Sequence, residues 1–207
     1  MSKFLKITLL SVVCFIMVII IIELFKLTQY VYKQIYPKAY SQYVERYSLE
    51  NDLDPLLIYA IIKAESNFNT DAVSKSNALG LMQILETTAK EVCEKEFNGE
   101  FDKNELFNAE YNIKIGTRYF SKLLNKYHNN IGISLAAYNA GTGKVDSWIE
   151  DGIIKQDGSN LENIPYKETN NYVRKILRDY DIYKEIYKEE YYDKSKIKRW
   201  IYSGSRE

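Results

Sequence analysis

One carboxylate in this sequence stands where an apolar side chain is expected. In "LLIYAIIKAESNFN", Leu57, Ile58, Ile61 and Ile62 recur at the spacing of a buried helical stripe. Glu65 lies seven residues after Ile58, four after Ile61 and three after Ile62, on that same stripe. Such a carboxyl either marks a helix end emerging into solvent or is an acid held among apolar neighbours. In the second case burial favours the protonated form and suits the group to general acid chemistry. Two further clusters carry groups that could bind a polar ligand. "GLMQI", residues 80–84, follows a loop rich in Ser and Asn, types that hydrogen-bond sugar amides and hydroxyls. "AAYNAGTGKV" brings Tyr138, Asn139 and Gly141 together, which is equally the chemistry of a helix stop. His128 is the sole histidine, in the polar stretch "KYHNN". A His-rich metal site is therefore excluded and Ser–His nucleophilic catalysis is disfavoured.

The elements that must position these residues read as helices. Asp54 followed by Pro55 is an N-cap with proline at the first helical position, opening a helix over Leu56 to Ser66. "LETTAKEVCEKE" starts a second at Glu86-Thr87. "NAEYNIKIGTRYFSKLLNKY" places Ile113, Gly116, Tyr119 or Phe120, and Leu123 on one face of a helix of about five turns. "GISLAAYNAG" is a shorter helix stopped by Gly141. "ETNNYVRKILRDYDIYKEIY" repeats Tyr172, Val173, Ile176, Leu177 and Tyr180 along a long final helix, with Thr169 as its cap. Convincing β-alternation is absent, so the fold class is mainly α.

The composition narrows the partners. Lys+Arg and Asp+Glu both number 28, so no net charge points to nucleic acid, and 46% hydrophobic residues with three prolines describe a folded chain. The 19 tyrosines suit either aromatic platforms in a cleft or helix packing, and packing accounts for most of them. At the N-terminus, Lys3 and Lys6 precede an uncharged run from Ile7 to Ile22. That run spans about 24 Å as a helix, slightly short of a hydrocarbon core of about 30 Å. Phe4, Leu5, Leu24 and Phe25 can complete the span if Lys6 and Glu23 snorkel. No small-residue cleavage site follows, so residues 1–28 read as an uncleaved signal anchor. The leading lysines place the N-terminus in the cytoplasm and the remaining chain outside it, although Lys26, Lys33 and Lys38 on the other flank weaken the charge bias. Cys14 falls within this span, leaving Cys93 as a small core residue. Residues 29–46, tyrosine-rich and interrupted by Pro37, read as a juxtamembrane stalk, 47–190 as the domain, and 191–207 as a basic aromatic tail.

Taken together, "AESNFNTDAVSKSNALGLMQI", "NAEYNIKIGTRYFSKLL", "LAAYNAGTGKVDSWI" and "IPYKETNNYVRKIL" resemble, in order, the blocks of the lytic transglycosylases of the soluble-lytic-transglycosylase catalytic-domain family. These are lysozyme-like peptidoglycan cleavers, and the resemblance covers about Tyr47 to Tyr187. It implies a lysozyme-like helical domain with a glycan-binding cleft, acting on peptidoglycan glycan strands without cofactor or metal; the anchor read from the N-terminal run would hold that domain at the cytoplasmic membrane. By that resemblance Glu65 matches the catalytic acid/base. Ser74 and Gln83 match residues that contact the N-acetylated sugars, and Tyr138 matches the tyrosine lining the site. Ser66 matches the partner of the Glu-Ser pair. Asn139, Glu168 and Tyr172 fall in blocks with supporting roles. Two departures are visible: Asn77 stands where the family usually has glycine, and Leu85-Glu86 replace a common Met-Pro. Asn tolerates the left-handed backbone, and Leu keeps most of the bulk of Met.

The resemblance also implies a mechanism that needs one carboxylate. Hydrolytic glycosidases use two, about 5–5.5 Å apart when retaining and about 6.5–9.5 Å when inverting. Here no second acid has a comparable signal, and Asp71 reads as a solvated loop residue. In the family's reaction the acid protonates the bridging oxygen, then takes a proton from the muramyl C6 hydroxyl, which closes to a 1,6-anhydro ring. Intramolecular attack has a high effective concentration and replaces an activated water. A muramidase on the same fold, or a non-catalytic glycan-binding scaffold, would share the blocks but not the product.

Overall fold

The computed structural model describes residues 3–97 and 101–188. The chain divides into two compact units, Met1–Pro37 and Lys38–Glu207. Residues 189–190, counted with the domain in sequence, and the tail at 191–207 lie outside the described residues.

The first unit is helix α1, Lys3–Ile35, of 33 residues. At 1.5 Å per residue it is about 50 Å long, and the stretch Ile7–Ile35 is long and apolar enough to cross a membrane. Phe4 and the large apolar side chains from Ile7 to Ile35 are exposed. The hydroxyls of Thr8, Ser11 and Thr28 donate to the carbonyls of Phe4, Thr8 and Leu24 at 2.8–2.9 Å, so they are satisfied within the helix. Lys26 pairs with Glu23 at 2.8 Å, one turn back. The helix runs unbroken past residue 28 and ends shortly before Pro37, which disfavours helical geometry in the residue preceding it.

The second unit holds α2 (Ser41–Glu50), α3 (Pro55–Glu65), α4 (Glu86–Val92), α5 (Ala109–Lys126), α6 (Ile131–Ala140), α7 (Thr142–Glu150) and α8 (Lys167–Ile186). A π-helical turn, Cys93–Phe97, follows α4, and short 3-10 segments span Lys103–Phe107 and Leu161–Asn163. Among the described residues there is no strand, only isolated bridges from Leu79 to Val73 and to Ile84. The stretch read from sequence as a stalk thus divides. Residues 41–46 belong to α2, because Val44 and Tyr47 bury their side chains in the domain.

Helix α3 is the axis of the core. Every residue from Leu56 to Ile62 is buried, as expected of a helix apolar all round. It packs against α2 and α8, while α5 packs against α2, α4 and α6. Burying each of its Leu and Ile side chains contributes roughly 1.5–3 kcal/mol, so the position of its last residue is set by the core. The start follows the sequence reading: Asp54 accepts from the Leu56 N–H at 2.8 Å, with Pro55 behind it. Tyr180 of α8 donates to the other Asp54 oxygen at 2.6 Å. On α5 the predicted stripe is buried at Ile113, Gly116, Phe120 and Leu123. A Cβ at Gly116 would overlap the Met82 side chain, so the glycine lets the loop before α4 lie on the helix. Many tyrosines are packing residues: Tyr59 stacks on Tyr183 at 5.8 Å and Tyr183 on Tyr187 at 6.0 Å. Thr169 is not the cap of α8. The helix opens at Lys167 with Tyr166 in the cap position, and Thr169 is buried inside its first turn.

Candidate active site

Helix α3 delivers Glu65 as its last residue, and the chain then reverses sharply. Asn67 and Phe68 both take left-handed backbone angles, φ 50° and 66°. That region is sparsely populated for a bulky residue such as Phe. Ser66 forms the C-cap, and its hydroxyl donates to the Leu81 carbonyl at 2.8 Å. It thereby ties the helix end to the far side of the loop 66–85.

That loop has almost no regular structure, so side chains hold its shape. The Gln83 amide nitrogen donates to the carbonyls of Ala72 at 3.0 Å and Gly80 at 2.9 Å. The Ser74 hydroxyl accepts from the backbone N–H groups of Ser76 at 3.2 Å and Ala78 at 2.9 Å. Asn77 adopts φ 61°, the left-handed turn that an Asn can take in place of glycine. Beneath the loop, fully buried Asn112 of α5 accepts from the Met82 N–H at 2.8 Å. Its amide nitrogen donates to the carbonyls of Leu79 at 2.9 Å and Leu106 at 2.7 Å. Gly80, at φ +73°, sits where any Cβ would meet the Leu106 carbonyl and the Asn112 amide.

Two tyrosines complete the surroundings of Glu65. From α8, the Tyr172 hydroxyl donates to Glu65 Oε1 at 2.5 Å, the short contact of a charge-assisted bond. From α6, the Tyr138 hydroxyl donates to the Met82 carbonyl at 2.7 Å. The Tyr138 ring packs against Tyr119 and Phe120, with centroids 5.5 and 6.0 Å away. Burial pushes the Glu65 carboxyl up to about 7, against the opposing pull of the Tyr172 hydrogen bond and the Lys175 ammonium. Burial, and then the charge of Glu65, raise both Tyr138 and Tyr172 well above the usual phenol range. Both phenols therefore act as donors at neutral pH. Among the described residues no acid figures among the groups acting on Glu65, and Asp71 is exposed on the loop. A single carboxyl poised near neutrality, with fixed phenol donors around it, can give a proton and take one back in the same turnover.

The sequence-predicted residues thus fall into three groups. Glu65, Ser66, Tyr138 and Tyr172 converge on the end of α3. Ser74 and Gln83 lie on the loop, with the bonds above turned into the loop itself. Asn139 and Glu168 are exposed. The Asn139 carbonyl oxygen accepts from Thr169 at 2.8 Å, joining α6 to α8, and Glu168 stands one helical turn before Tyr172. Asn112 and Lys175 escaped the sequence reading. Asn112 had a signal of the same kind as Glu65, since it is a polar residue on the stripe that continues through Gly116.

Comparison with known proteins matches residues 42–157 to the family described as the transglycosylase SLT domain. The soluble lytic murein transglycosylase of Escherichia coli K12 is 36% identical over 151 residues, which are 72% of this chain and 23% of that protein. Membrane-bound lytic murein transglycosylase C of Photorhabdus laumondii is 39% identical over 115 residues, 51% of this chain and 32% of that one. Of the solved structures, the 70 kDa soluble lytic transglycosylase of E. coli is similar with a TM-score of 0.67 at 31% identity, covering 74% of this chain and 25% of that chain. An inactive Glu-to-Gln mutant of the Pseudomonas aeruginosa lytic transglycosylase Slt is similar at 0.66 and 34%, covering 72% of this chain and 24% of that chain. The chain spans about a quarter of the length of the soluble relatives it matches.

Proposed function

The chain belongs to the transglycosylase SLT domain family, and from that premise we propose that it is a peptidoglycan lytic transglycosylase with Glu65 as acid and then base. The substrate is the β-1,4 bond between N-acetylmuramic acid and N-acetylglucosamine. Protonated Glu65 gives its proton to the bridging oxygen, the C1–O bond breaks, and N-acetylglucosamine leaves with a free hydroxyl. The Glu65 carboxylate then removes the proton of the muramyl C6 hydroxyl as that oxygen bonds to C1. Glu65 ends protonated, no water is consumed, and the product carries a 1,6-anhydro ring. The observation that carries this reading is Glu65 itself: burial brings it to about 7, with no acid partner acting on it among the described residues. A group at that value is populated in both forms at neutral pH, as an acid that becomes a base requires. The inactive Glu-to-Gln mutant of the Pseudomonas relative fits dependence on one glutamate.

Around the acid, Tyr172 steadies the carboxylate formed in the first step and Tyr138 lines the cleft. Ser74 and Gln83 bind the N-acetylated sugars from the loop. The Gln83 amide nitrogen is spent on the loop, so its carbonyl oxygen is the atom offered to a sugar N–H or hydroxyl. Ser66, Asn139 and Glu168 support the cleft from the ends of α3, α6 and α8. Helix α1 anchors the chain in the cytoplasmic membrane, a reading that its length and apolar surface support, with the N-terminus inside and the domain outside, an orientation that rests on the lysines before the run. The membrane-bound relative is consistent with this location.

The test is the mass of the products released from purified peptidoglycan. Anhydromuropeptides one water lighter than reducing-end muropeptides are expected, and Glu65→Gln abolishes their release while the fold is retained. Reducing ends alone would make the enzyme a muramidase, and full activity in Glu65→Gln would remove the site assignment. A reporter fused after Tyr47 tests topology, with cytoplasmic reporter activity refuting it.

A further inference from the structure

Lys175 is an exposed cation beside the half-buried acid, and neither the helical spacing nor the blocks above give it a role. It lies one helical turn beyond Tyr172 on α8, the helix that packs along α3. Its ammonium reaches the Ala64 carbonyl at 3.5 Å, in the last turn of α3 and one residue before Glu65. Carbonyl oxygens at a helix C-terminus carry partial negative charge and lack intrahelical donors. At this end the N–H groups of Ser66 and Asn67 reach back to the carbonyls of Ile62 and Lys63. Lys175 supplies a donor to the next carbonyl in line. The same C-terminal field disfavours a carboxylate on the final residue of the helix, which is where Glu65 stands.

We propose that Lys175 is a positioning residue for Glu65: from α8 it holds the last turn of α3 and offsets the negative field there, so that the carboxylate form of Glu65 remains accessible. The inference deepens the lyase reading above and rests on it for its activity readout. In that reaction Glu65 must lose its proton in the first step and regain one in the second. Burial alone would hold the proton, and a cation near the helix end restores the balance. Among the described residues the titratable groups facing Glu65 are Tyr172 and Lys175 from α8 and Tyr138 from α6. Both phenols stay protonated at neutral pH, which leaves Lys175 as the charged member of the set. Its effect on Glu65 has the expected sign, favouring the ionised form.

The experiment uses the full chain in non-ionic detergent, as wild type, Lys175→Met and Lys175→Arg. Titration of the Glu65 carboxyl carbon by NMR, assigned by its loss in Glu65→Gln, reads the acid directly. Removing the cation raises the Glu65 midpoint by about half a pH unit, a small value for an opposite charge because this one is in contact with solvent. Lys175→Arg keeps the midpoint near the wild-type value. With peptidoglycan sacculi, the ratio of anhydromuropeptide release at about pH 8 to that at about pH 6 rises two- to three-fold in Lys175→Met, following the larger protonated fraction. A purely structural role would lower activity equally at both pH values and leave the ratio alone. An unmoved NMR midpoint in Lys175→Met overturns the inference. A shifted midpoint in a chain that makes no anhydro product supports it and overturns the lyase reading instead.

Discussion

Replacing Glu65 with Gln should remove activity and at the same time stabilise the fold, by an amount that depends on pH. The carboxyl titrates at about 7 in the folded chain against 4.5 for an ordinary Glu, with burial as the main cause. Between those values the folded chain binds more protons than the unfolded chain, so stability falls as pH rises through the window. Below the lower value both states are protonated and the effect vanishes. Above the upper one the full cost is present, about 3 kcal/mol for a difference of this size at 1.36 kcal/mol per unit. Glutamine is close in shape, carries no charge, and its carbonyl can still accept from Tyr172. Unfolding of wild type and Glu65→Gln by denaturant in detergent at about pH 5 and about pH 8 isolates this effect, because every other titrating group is common to both proteins. The stability advantage of the variant should grow by about 2–3 kcal/mol between the two pH values. An advantage that stays constant would mean that Glu65 titrates like a solvated carboxyl, and the case for it as a neutral-pH acid would fail.

Two further substitutions probe the surroundings. Tyr172→Phe removes the 2.5 Å hydrogen bond that favours the Glu65 carboxylate. The Glu65 midpoint should move up, and activity should fall with its alkaline limb displaced to higher pH, read from a pH–rate profile on sacculi. Asn112→Ala leaves the Met82 N–H and the carbonyls of Leu79 and Leu106 without the partner that Asn112 supplies in the core. A loss of about 3–5 kcal/mol is expected in denaturant unfolding, and a loss below about 1 kcal/mol would show that the loop is held by other means.

The parts of the site that were legible in the sequence are those written in local chemistry. Asp54-Pro55 announced the start of α3, and the stripe of Leu57, Ile58, Ile61 and Ile62 gave its buried faces. The position of Glu65 on that stripe then raised the question of a buried acid. Contacts between distant segments were not legible. Tyr172 lies 107 residues from Glu65, and periodicity assigns it to a face of α8 without saying what that face meets. The Thr169 reading failed for a related reason: a Thr near a helix start is a good cap, but here a tertiary bond to Asn139 took the hydroxyl and Tyr166 took the cap position. Asn112 could have been found by the rule that found Glu65. A polar residue on an apolar stripe is either misassigned or committed to a buried bond, and Asn112 is committed to three.

Why should the acid stand at the end of the most buried helix rather than on the loop, where sugar-binding groups are easily presented? A carboxylate on an exposed loop is surrounded by water, which favours its ionised form, so such a group is a poor proton donor at neutral pH. A carboxyl in mid-helix on α3 would be enclosed by the core and out of reach of a polymer. The last turn meets both demands: apolar packing on one side raises the affinity for the proton, and the reversal at Asn67 and Phe68 ends the helix there, so no further turn encloses the other side. The arrangement requires a loop that keeps its shape without strands. Ser66, Gln83, Asn112 and Tyr138 each tie it to itself or to a helix. Three of those four also stand in the blocks from which sugar contact and site lining were inferred. Under the proposed function the same side chains would carry binding and rigidity, so a substitution at Gln83 or Tyr138 must be separated into a binding and a folding effect before either role is assigned.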